Sequence, residues 1–277
     1  MFTFILFFYF FFFMFCSSYL VLNFYYLPDP TLLKSFVTIT SFILSFFINL
    51  ILSWVCVLFF LFIAMWFSKK LKVDHPLRNE IISSFSKLIM NFFRIKVIIH
   101  NKELIPLKNK LVIYSNHKTN FDPFIIASIF PRTIAFTPKS ELYDSRMGWF
   151  LSYCFNASNC IKIKRENNKE TVKNIMQGIQ NIKNNLGMII FNEGGIKHKT
   201  SDKIINSLDG SFKIILKSEA DVLPITLKGS CAMRGKCWFR RKKVEIFIHK
   251  ALHFEELQNN NTKEINQKVT NIINSVL

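Results

Sequence analysis

Two long runs without charged side chains, both near the start of the chain, constrain the fold more than any other feature. No Asp, Glu, Lys or Arg occurs in residues 1–26 or 36–68, and only the short segment LPDPTLLKS separates the runs. An α-helix of about 20 residues crosses a hydrocarbon core of roughly 30 Å, so each run is long enough to span a bilayer once. We therefore predict a membrane anchor at residues 1–68, with hydrophobic segments at about 1–26 and 36–67.

The first run has an alternative explanation, a cleavable signal peptide. Such peptides begin with a basic region and have a shorter apolar stretch, and this sequence has neither property. Lys69, Lys70 and Lys72 follow the second run, and positive charge flanks the cytoplasmic end of membrane segments. The expected arrangement is a multi-pass membrane protein with an N-terminal transmembrane hairpin and residues 69–277 in the cytoplasm.

The net charge of +18 belongs entirely to this second part, because residues 1–68 hold one Asp and one Lys. No helix-turn-helix, zinc-finger or RNA-binding signature accompanies the basic residues, so we expect no nucleic acid partner. Each cation held near an anionic leaflet contributes about 1 kcal/mol, which favours membrane phospholipids as the partner. The six cysteines lack the C-x2-C spacing of zinc sites. His249 and His253 have the spacing of two ligands on one helix, but their run, VEIFIHKALHF, looks like a strand leaving the sheet. No metal site is predicted.

After an amphipathic helix at 76–93, short apolar runs alternate with polar helical segments. This alternation predicts an α/β fold with a largely parallel sheet flanked by helices. The predicted strands are 95–100, 110–115, 133–137, 160–164, 187–192, 222–227 and 244–249, and the predicted helices are 122–130, 140–154, 169–183, 210–219 and 263–276.

The segment NHKTNFDP leaves the carboxyl end of the strand KLVIYS, where ligands collect in α/β folds. Its His117 and Asp122 are five positions apart, with Asp122 and Pro123 predicted as the N-cap and first residue of a helix. Two interpretations stay open on the residues alone. The pair is either a catalytic dyad or a helix cap beside an exposed turn histidine.

Three further blocks follow in order, and together with the first they resemble the glycerolipid acyltransferase family that includes the 1-acylglycerol-3-phosphate acyltransferases. CIKIKR ends in Arg165, FNEGG contains Glu193, Gly194 and Gly195, and VLPI is centred on Pro224. The resemblance covers about residues 94–230. Asn192, Gly195 and Ile196 depart from the third block, in which Pro, Thr and Arg are usual.

The resemblance implies roles for these residues. His117 is expected to act as general base and Asp122 to orient it, with direct acyl transfer and no Ser or Cys nucleophile. Arg165 is expected to bind a phosphate, Glu193 with Gly194 and Gly195 to bind the acceptor, and Pro224 to shape the pocket wall.

The expected reaction is acylation of the sn-2 hydroxyl of lysophosphatidic acid, which gives phosphatidic acid for phospholipid biosynthesis. The resemblance implies acyl-CoA or acyl carrier protein as co-substrate and no cofactor. An acyltransferase for another lysophospholipid and a non-catalytic membrane scaffold are the alternatives, because the altered third block leaves the acceptor open.

Overall fold

The computed structural model describes residues 1–25, 32–145, 148–163, 168–196, 200–236 and 240–277. Within these residues the chain forms two compact units, Met1–Ala64 and Met65–Leu277. The first unit is helical, and the second contains a sheet with helices on both faces.

The first unit consists of α1, Phe2–Tyr25, and most of α2, Leu32–Ser68. Contacts that pair residues early in α1 with residues late in α2 show that the helices run antiparallel. The rings of Tyr9 and Phe60 lie 5.8 Å apart, while the hydroxyl of Ser17 lies 2.7 Å from that of Ser45. Phe2–Asn23 and Lys34–Ser68 are long and apolar enough to cross a membrane, judged by length and composition.

A six-stranded sheet forms the centre of the second unit, in the order β1-β6-β5-β2-β4-β3. Neighbouring strands are parallel except β5 and β6, so the predicted largely parallel sheet is confirmed. Six of the seven predicted strands are present. The strands are β1 Ile95–His100, β2 Leu111–Ser115, β3 Ile134–Ala135, β4 Gly187–Phe191, β5 Asp221–Lys228 and β6 Lys242–Ile248.

Helices cover both faces of the sheet, and alternate residues of each central strand point to opposite faces. In β2, Tyr114 packs in the apolar cluster that includes residues of α6, α7 and α8, while Ile113 packs in the cluster that includes residues of α3 and α4. The helices of this unit are α3 Pro76–Phe92, α4 Asp122–Ile129, α5 Gly148–Ala157, α6 Asn168–Lys183, α7 Lys213–Ser218 and α8 Thr262–Asn274.

The strand predicted at 160–164 is wrong over its described residues, 160–163, which make a single bridge between Ile163 and Lys139. Ile161 donates to the Phe136 carbonyl and Ile163 to the Pro138 carbonyl, at 2.9 and 3.2 Å. Pro138 has no N–H to donate to the Ile161 carbonyl, so no second bridge forms on that side of the first.

The helix predicted at 140–154 is also wrong in its first part. A 3-10 turn occupies Ser140–Leu142, and α5 begins only at Gly148. A Cβ atom at Gly148 would collide with the carbonyl oxygen of Tyr143, so this approach of the two backbone segments requires glycine.

Candidate active site

Three loops meet at one edge of the sheet because β2, β4 and β5 are parallel neighbours. Residues 116–121 follow β2, residues 192–196 follow β4, and residues 229–231 follow β5. The carboxyl ends of parallel strands are where α/β folds place their ligands. The topology thus brings the first and third sequence blocks together.

His117 and Asp122 are in direct contact. The Nδ1 atom of His117 lies 3.0 Å from Oδ2 of Asp122, whose side chain is fully buried, while 14% of the histidine side chain remains exposed. Asp122 is the first residue of α4, and Phe121 takes the N-cap position without a side-chain cap bond. The predicted N-cap role of Asp122 is therefore wrong, because its carboxylate turns back toward the preceding loop.

That loop holds the Asp122 carboxylate from several sides. Oδ2 accepts the backbone N–H groups of Lys118 and Thr119 at 2.6 and 2.9 Å. Oδ1 accepts the Thr119 hydroxyl at 2.8 Å and also the hydroxyl of Ser230. All of these groups donate to the side chain of Asp122, and an ionised carboxylate only accepts hydrogen bonds. Asp122 therefore takes the Nδ1 hydrogen of His117 and leaves Nε2 with its lone pair.

The imidazole of His117 is also fixed by packing and by its backbone. Its ring stacks on that of Phe191, the last residue of β4, with centroids 4.1 Å apart and an interplanar angle of 18°. The backbone N–H of His117 donates to Oε1 of Glu193 at 2.9 Å. The third sequence block thus contributes to the position of the histidine in the first.

Glu193 forms a buried ion pair with Lys118. The ammonium nitrogen lies 2.6 Å from Oε2 of Glu193, and both side chains are fully buried. Lys118 also donates to the Lys203 carbonyl at 2.8 Å. Sequence reasoning missed Lys118, because lysine is rarely buried and nothing local distinguishes this one from an exposed turn residue.

The other predicted site residues are placed less closely around His117. Gly194 and Gly195 follow Glu193 with positive φ angles of 66° and 137°, which favour glycine. Pro224 is buried in the middle of β5, opposite Tyr114 in the register, and its carbonyl accepts the His249 N–H at 3.2 Å. Arg165 lies outside the described residues.

Comparison with known proteins identifies the domain that holds this site. Residues 96–228 match the family model described as Acyltransferase. By this match, residues 96–228 are an acyltransferase domain. The match begins in β1 and ends with the last residue of β5. Of the partners named above, the Ser230 hydroxyl and the His249 N–H lie beyond it.

Curated relatives of this acyltransferase domain include bacterial and yeast proteins. A probable 1-acyl-sn-glycerol-3-phosphate acyltransferase of Mycoplasma pneumoniae is 29% identical over 157 residues, which cover 54% of this chain and 56% of the relative. The 1-acyl-sn-glycerol-3-phosphate acyltransferase of Saccharomyces cerevisiae is 22% identical over 166 residues, covering 58% and 54%. The chain thus spans little more than half the length of the curated relatives it matches.

A solved structure shares the fold. The crystal structure of the 1-acyl-sn-glycerophosphate (LPA) acyltransferase PlsC from Thermotoga maritima superposes with a TM-score of 0.60, over 79% of this chain and 93% of that one. Because the sequence identity is 19%, this similarity shows only that the two proteins share a fold.

The acyltransferase domain departs from the family pattern at Asn192, and the structure shows what the asparagine contacts. Its side chain is buried, with Nδ2 donating to the Thr270 hydroxyl of α8 at 3.3 Å. Thr270 donates in turn to Asn266 at 3.0 Å, and Asn266 donates to Asp209 at 2.6 Å. This chain of polar groups connects the loop after β4 with the C-terminal helix.

Most backbone N–H groups around the dyad already have acceptors. Those of Lys118 and Thr119 donate to Asp122, and that of Asp122 itself donates to the Thr119 carbonyl at 3.2 Å. The Gly194 N–H donates to the Phe191 carbonyl at 3.0 Å. These four groups are therefore occupied and do not point at a reacting carbonyl in this conformation.

Cysteine residues of the acyltransferase domain are poorly suited to act as nucleophiles. Burial raises the pKa of Cys154 to about 11 and that of Cys160 to about 12. Both thiols stay protonated at neutral pH, and the thiolate is the reactive form. Cys16, Cys56, Cys154, Cys160 and Cys231 are free thiols.

The two histidines considered for a metal are separated in the structure. Nε2 of His249 lies 2.8 Å from the Thr226 hydroxyl, whereas Nδ1 of His253 lies 3.4 Å from Asp221. Asp221, His253 and Glu255 bring ligand atoms within 4.8 Å of one another at the surface. Asp221 already accepts the Phe254 N–H at 3.1 Å, so its contacts have a structural explanation.

Proposed function

We propose that this protein transfers a fatty acyl group from a thioester donor to the sn-2 hydroxyl of lysophosphatidic acid. The observation that carries the proposal is the contact between His117 and Asp122 at the edge of the sheet, with Nδ1 and Oδ2 3.0 Å apart. The acyltransferase domain and the names of its relatives support the reaction class and the acceptor.

His117 acts as the general base in the proposed reaction. Its Nε2 takes the proton of the sn-2 hydroxyl as that oxygen attacks the thioester carbonyl. The tetrahedral intermediate then expels the thiolate, which takes the proton from Nε2, so an ester and a free thiol form. Positioned base catalysis of this kind contributes a factor of about 10²–10⁴.

Asp122 orients the imidazole and stabilises the imidazolium that forms during attack. It does so from a fully buried position with donors on both carboxylate oxygens, so it cannot rotate away without breaking several hydrogen bonds. We expect direct acyl transfer, because no thiol among the described residues takes part in the network that holds the dyad, and burial raises the pKa of Cys154 and Cys160.

Glu193 supports this geometry through the backbone of His117. Both of its oxygens are engaged, Oε1 by the His117 N–H and Oε2 by the Lys118 ammonium group. Binding of the acceptor by Glu193, as the family resemblance implies, stays a prediction, as do the phosphate-binding role of Arg165 and the roles of Gly194, Gly195 and Pro224.

Another lysophospholipid is the second candidate acceptor. Ile196 stands where the third block usually has arginine, so one phosphate-binding cation is missing from the expected set. Lys197 and Lys199, which follow it, lie outside the described residues.

The membrane supplies the proposed site with its lipid substrate. Phe2–Asn23 and Lys34–Ser68 anchor the chain as a hairpin, and Lys69, Lys70 and Lys72 keep the acyltransferase domain on the cytoplasmic side, where acyl-CoA or acyl carrier protein is available. A reporter fused after Leu277 is expected to read as cytoplasmic, and an exported reporter would contradict the hairpin.

An acceptor panel tests the proposal. Membranes that contain the full chain are given lysophosphatidic acid, lysophosphatidylcholine or 1-monoacylglycerol, each with acyl-CoA or acyl carrier protein donors. We expect phosphatidic acid above the level made by membranes without the chain. Turnover of lysophosphatidylcholine alone would favour the second candidate, and no turnover of any lysolipid would leave the scaffold interpretation.

A further inference from the structure

Arg234 lies beside the candidate site, in the loop after β5. One of its terminal nitrogens donates to the carbonyl of Lys118 at 3.3 Å, and Lys118 is the residue next to His117. The 3-10 turn Cys231–Met233, which begins directly after Ser230, positions Arg234 there. Ser230 itself donates to Asp122, so the same loop contacts both Asp122 and the residue that follows His117.

Two other arginines of the second unit, Met65–Leu277, donate to more groups of the chain than Arg234 does. Arg78 is buried and donates to the Leu71 and Ala157 carbonyls and to Asn159. The guanidinium of Arg132 donates to three carbonyl oxygens, those of Pro106, Asn109 and Asn185. Burial lowers the pKa of both groups. These arginines join backbone segments, and their donors are largely used.

Arg234 is exposed and makes one such contact among the described residues, which leaves most of its donors available. No described carboxylate forms an ion pair with it. The nearby carboxylates have other partners. Glu193 is paired with Lys118, and Asp202 accepts the N–H groups of Gly229 and Cys231, each at 2.7 Å. A positive charge therefore lies beside the Lys118 carbonyl without a carboxylate partner among the described residues.

We propose that Arg234 binds the phosphate of the acceptor lysophospholipid. The inference rests on the proposed function, since it concerns the acceptor of the same reaction. In lysophosphatidic acid the phosphate is only a few covalent bonds from the sn-2 hydroxyl, so a hydroxyl at His117 puts the phosphate close to the neighbouring residue. The planar guanidinium forms paired hydrogen bonds with phosphate oxygens, which an ammonium group cannot do in the same geometry.

Arg234 also lies outside the third block, where Ile196 has replaced the usual arginine. Arg234, in the loop after β5, would bind the acceptor from another side of the site. Its positive charge would replace the one that is missing from the third block at Ile196.

The test compares Arg234→Gln and Arg234→Lys with Lys236→Gln, which removes the same charge from an exposed residue of the same loop. Hydrogen bonds to a charged group contribute enough that we expect Arg234→Gln to raise the KM for lysophosphatidic acid about tenfold to a hundredfold. The lysine variant is expected to recover part of this loss, and Lys236→Gln to stay within about twofold of the unaltered chain. The KM for the acyl donor should stay unchanged in all three.

Equal KM values for lysophosphatidic acid in the Arg234→Gln and Lys236→Gln variants would overturn the inference and leave the proposed function intact. A rise in the donor KM alone would assign Arg234 to the donor and overturn it as well. Absence of turnover by the unaltered chain, with every acceptor and donor, would contradict the proposed function and with it this inference.

Discussion

Buried and half-buried polar side chains form a cluster in each of the two units, and the two clusters differ in charge. In the helical unit the side-chain amide of Asn49 donates to the hydroxyls of Ser17 and Ser45 at 2.9 and 3.1 Å. These groups are neutral, and they join α1 to α2. In an apolar environment such hydrogen bonds hold two helices together, because neither helix gains by burying apolar surface against the other.

The polar cluster in the second unit, Met65–Leu277, contains charged side chains instead. Lys118 and Glu193 are fully buried, and their charges are satisfied only by each other and by nearby polar groups. Burying such a pair costs several kcal/mol per ion, and an apolar pair of similar size is often as stable. The comparison teaches that a neutral polar cluster is explained by structure, whereas a charged cluster beside a histidine points to function.

Among changes that leave His117 in place, replacement of Asp122 by Asn is expected to give the largest effect on turnover. The amide nitrogen of Asn has no lone pair for the N–H groups of Lys118 and Thr119, and it no longer fixes the tautomer of His117. We expect kcat to fall by about 10³–10⁴. The measurement is the initial rate of lysophosphatidic acid acylation, normalised to the amount of folded protein.

Ser230→Ala is the matched control, because it removes one donor to the same carboxylate and keeps the carboxylate itself. Its kcat should fall by less than about tenfold. An Asp122→Asn rate within tenfold of the unaltered chain would show that the charged cluster does not serve catalysis.

Replacement of Glu193 by Gln is expected to give the next largest effect, on the free energy of unfolding. The substitution leaves the Lys118 ammonium buried without its carboxylate, which costs about 3–5 kcal/mol. Thermal or urea unfolding of the full chain in detergent measures the loss.

A double-mutant cycle sharpens this prediction. With Lys118→Met added to Glu193→Gln, no charge stays unpaired, and the destabilisation should be smaller than the sum of the two single changes. Additive losses would mean that the two side chains are not coupled, against the 2.6 Å contact between them.

Replacement of Asn49 by Leu is expected to give the smallest effect. Hydrogen bonds between membrane helices contribute about 0.6 kcal/mol each, and about 1.7 kcal/mol at most. We expect a loss of about 1 kcal/mol or less in the stability of the helical unit, and an unchanged rate per folded molecule. Crosslinking between cysteines placed on α1 and α2 measures how firmly the two helices stay paired. A tenfold fall in the acylation rate per folded molecule would show that this neutral cluster also serves function.

Local patterns in the sequence predicted much of the fold. Ile113 and Tyr114 are adjacent in β2 and pack on opposite faces of the sheet. The local apolar run alone predicts such a strand, because successive side chains of a strand point to opposite faces. The strand predicted at 160–164 is wrong over its described residues, 160–163, although the run is apolar. The segment it pairs with contains Pro138, which lacks the N–H that a second bridge needs. The sequence of a strand does not by itself show which segment it pairs with.

One contact of the candidate site follows from the sequence, and the others do not. His117 and Asp122 are close in sequence, and a five-residue spacing permits their contact. The Lys118–Glu193 pair joins residues 75 positions apart, and only the parallel arrangement of β2 and β4 brings them together. The N-cap expectation for Asp122 was locally reasonable and wrong, because the loop before α4 offers its carboxylate better donors than the helix does.

The rate of lysophosphatidic acid acylation by His117→Ala in the full chain, at equal amounts of folded protein, tests the central claim most directly. A general base held by Asp122 predicts that kcat falls by at least about a hundredfold while the melting temperature stays near that of the unaltered chain. A kcat within about threefold of the unaltered chain would contradict the assignment of His117 as the base.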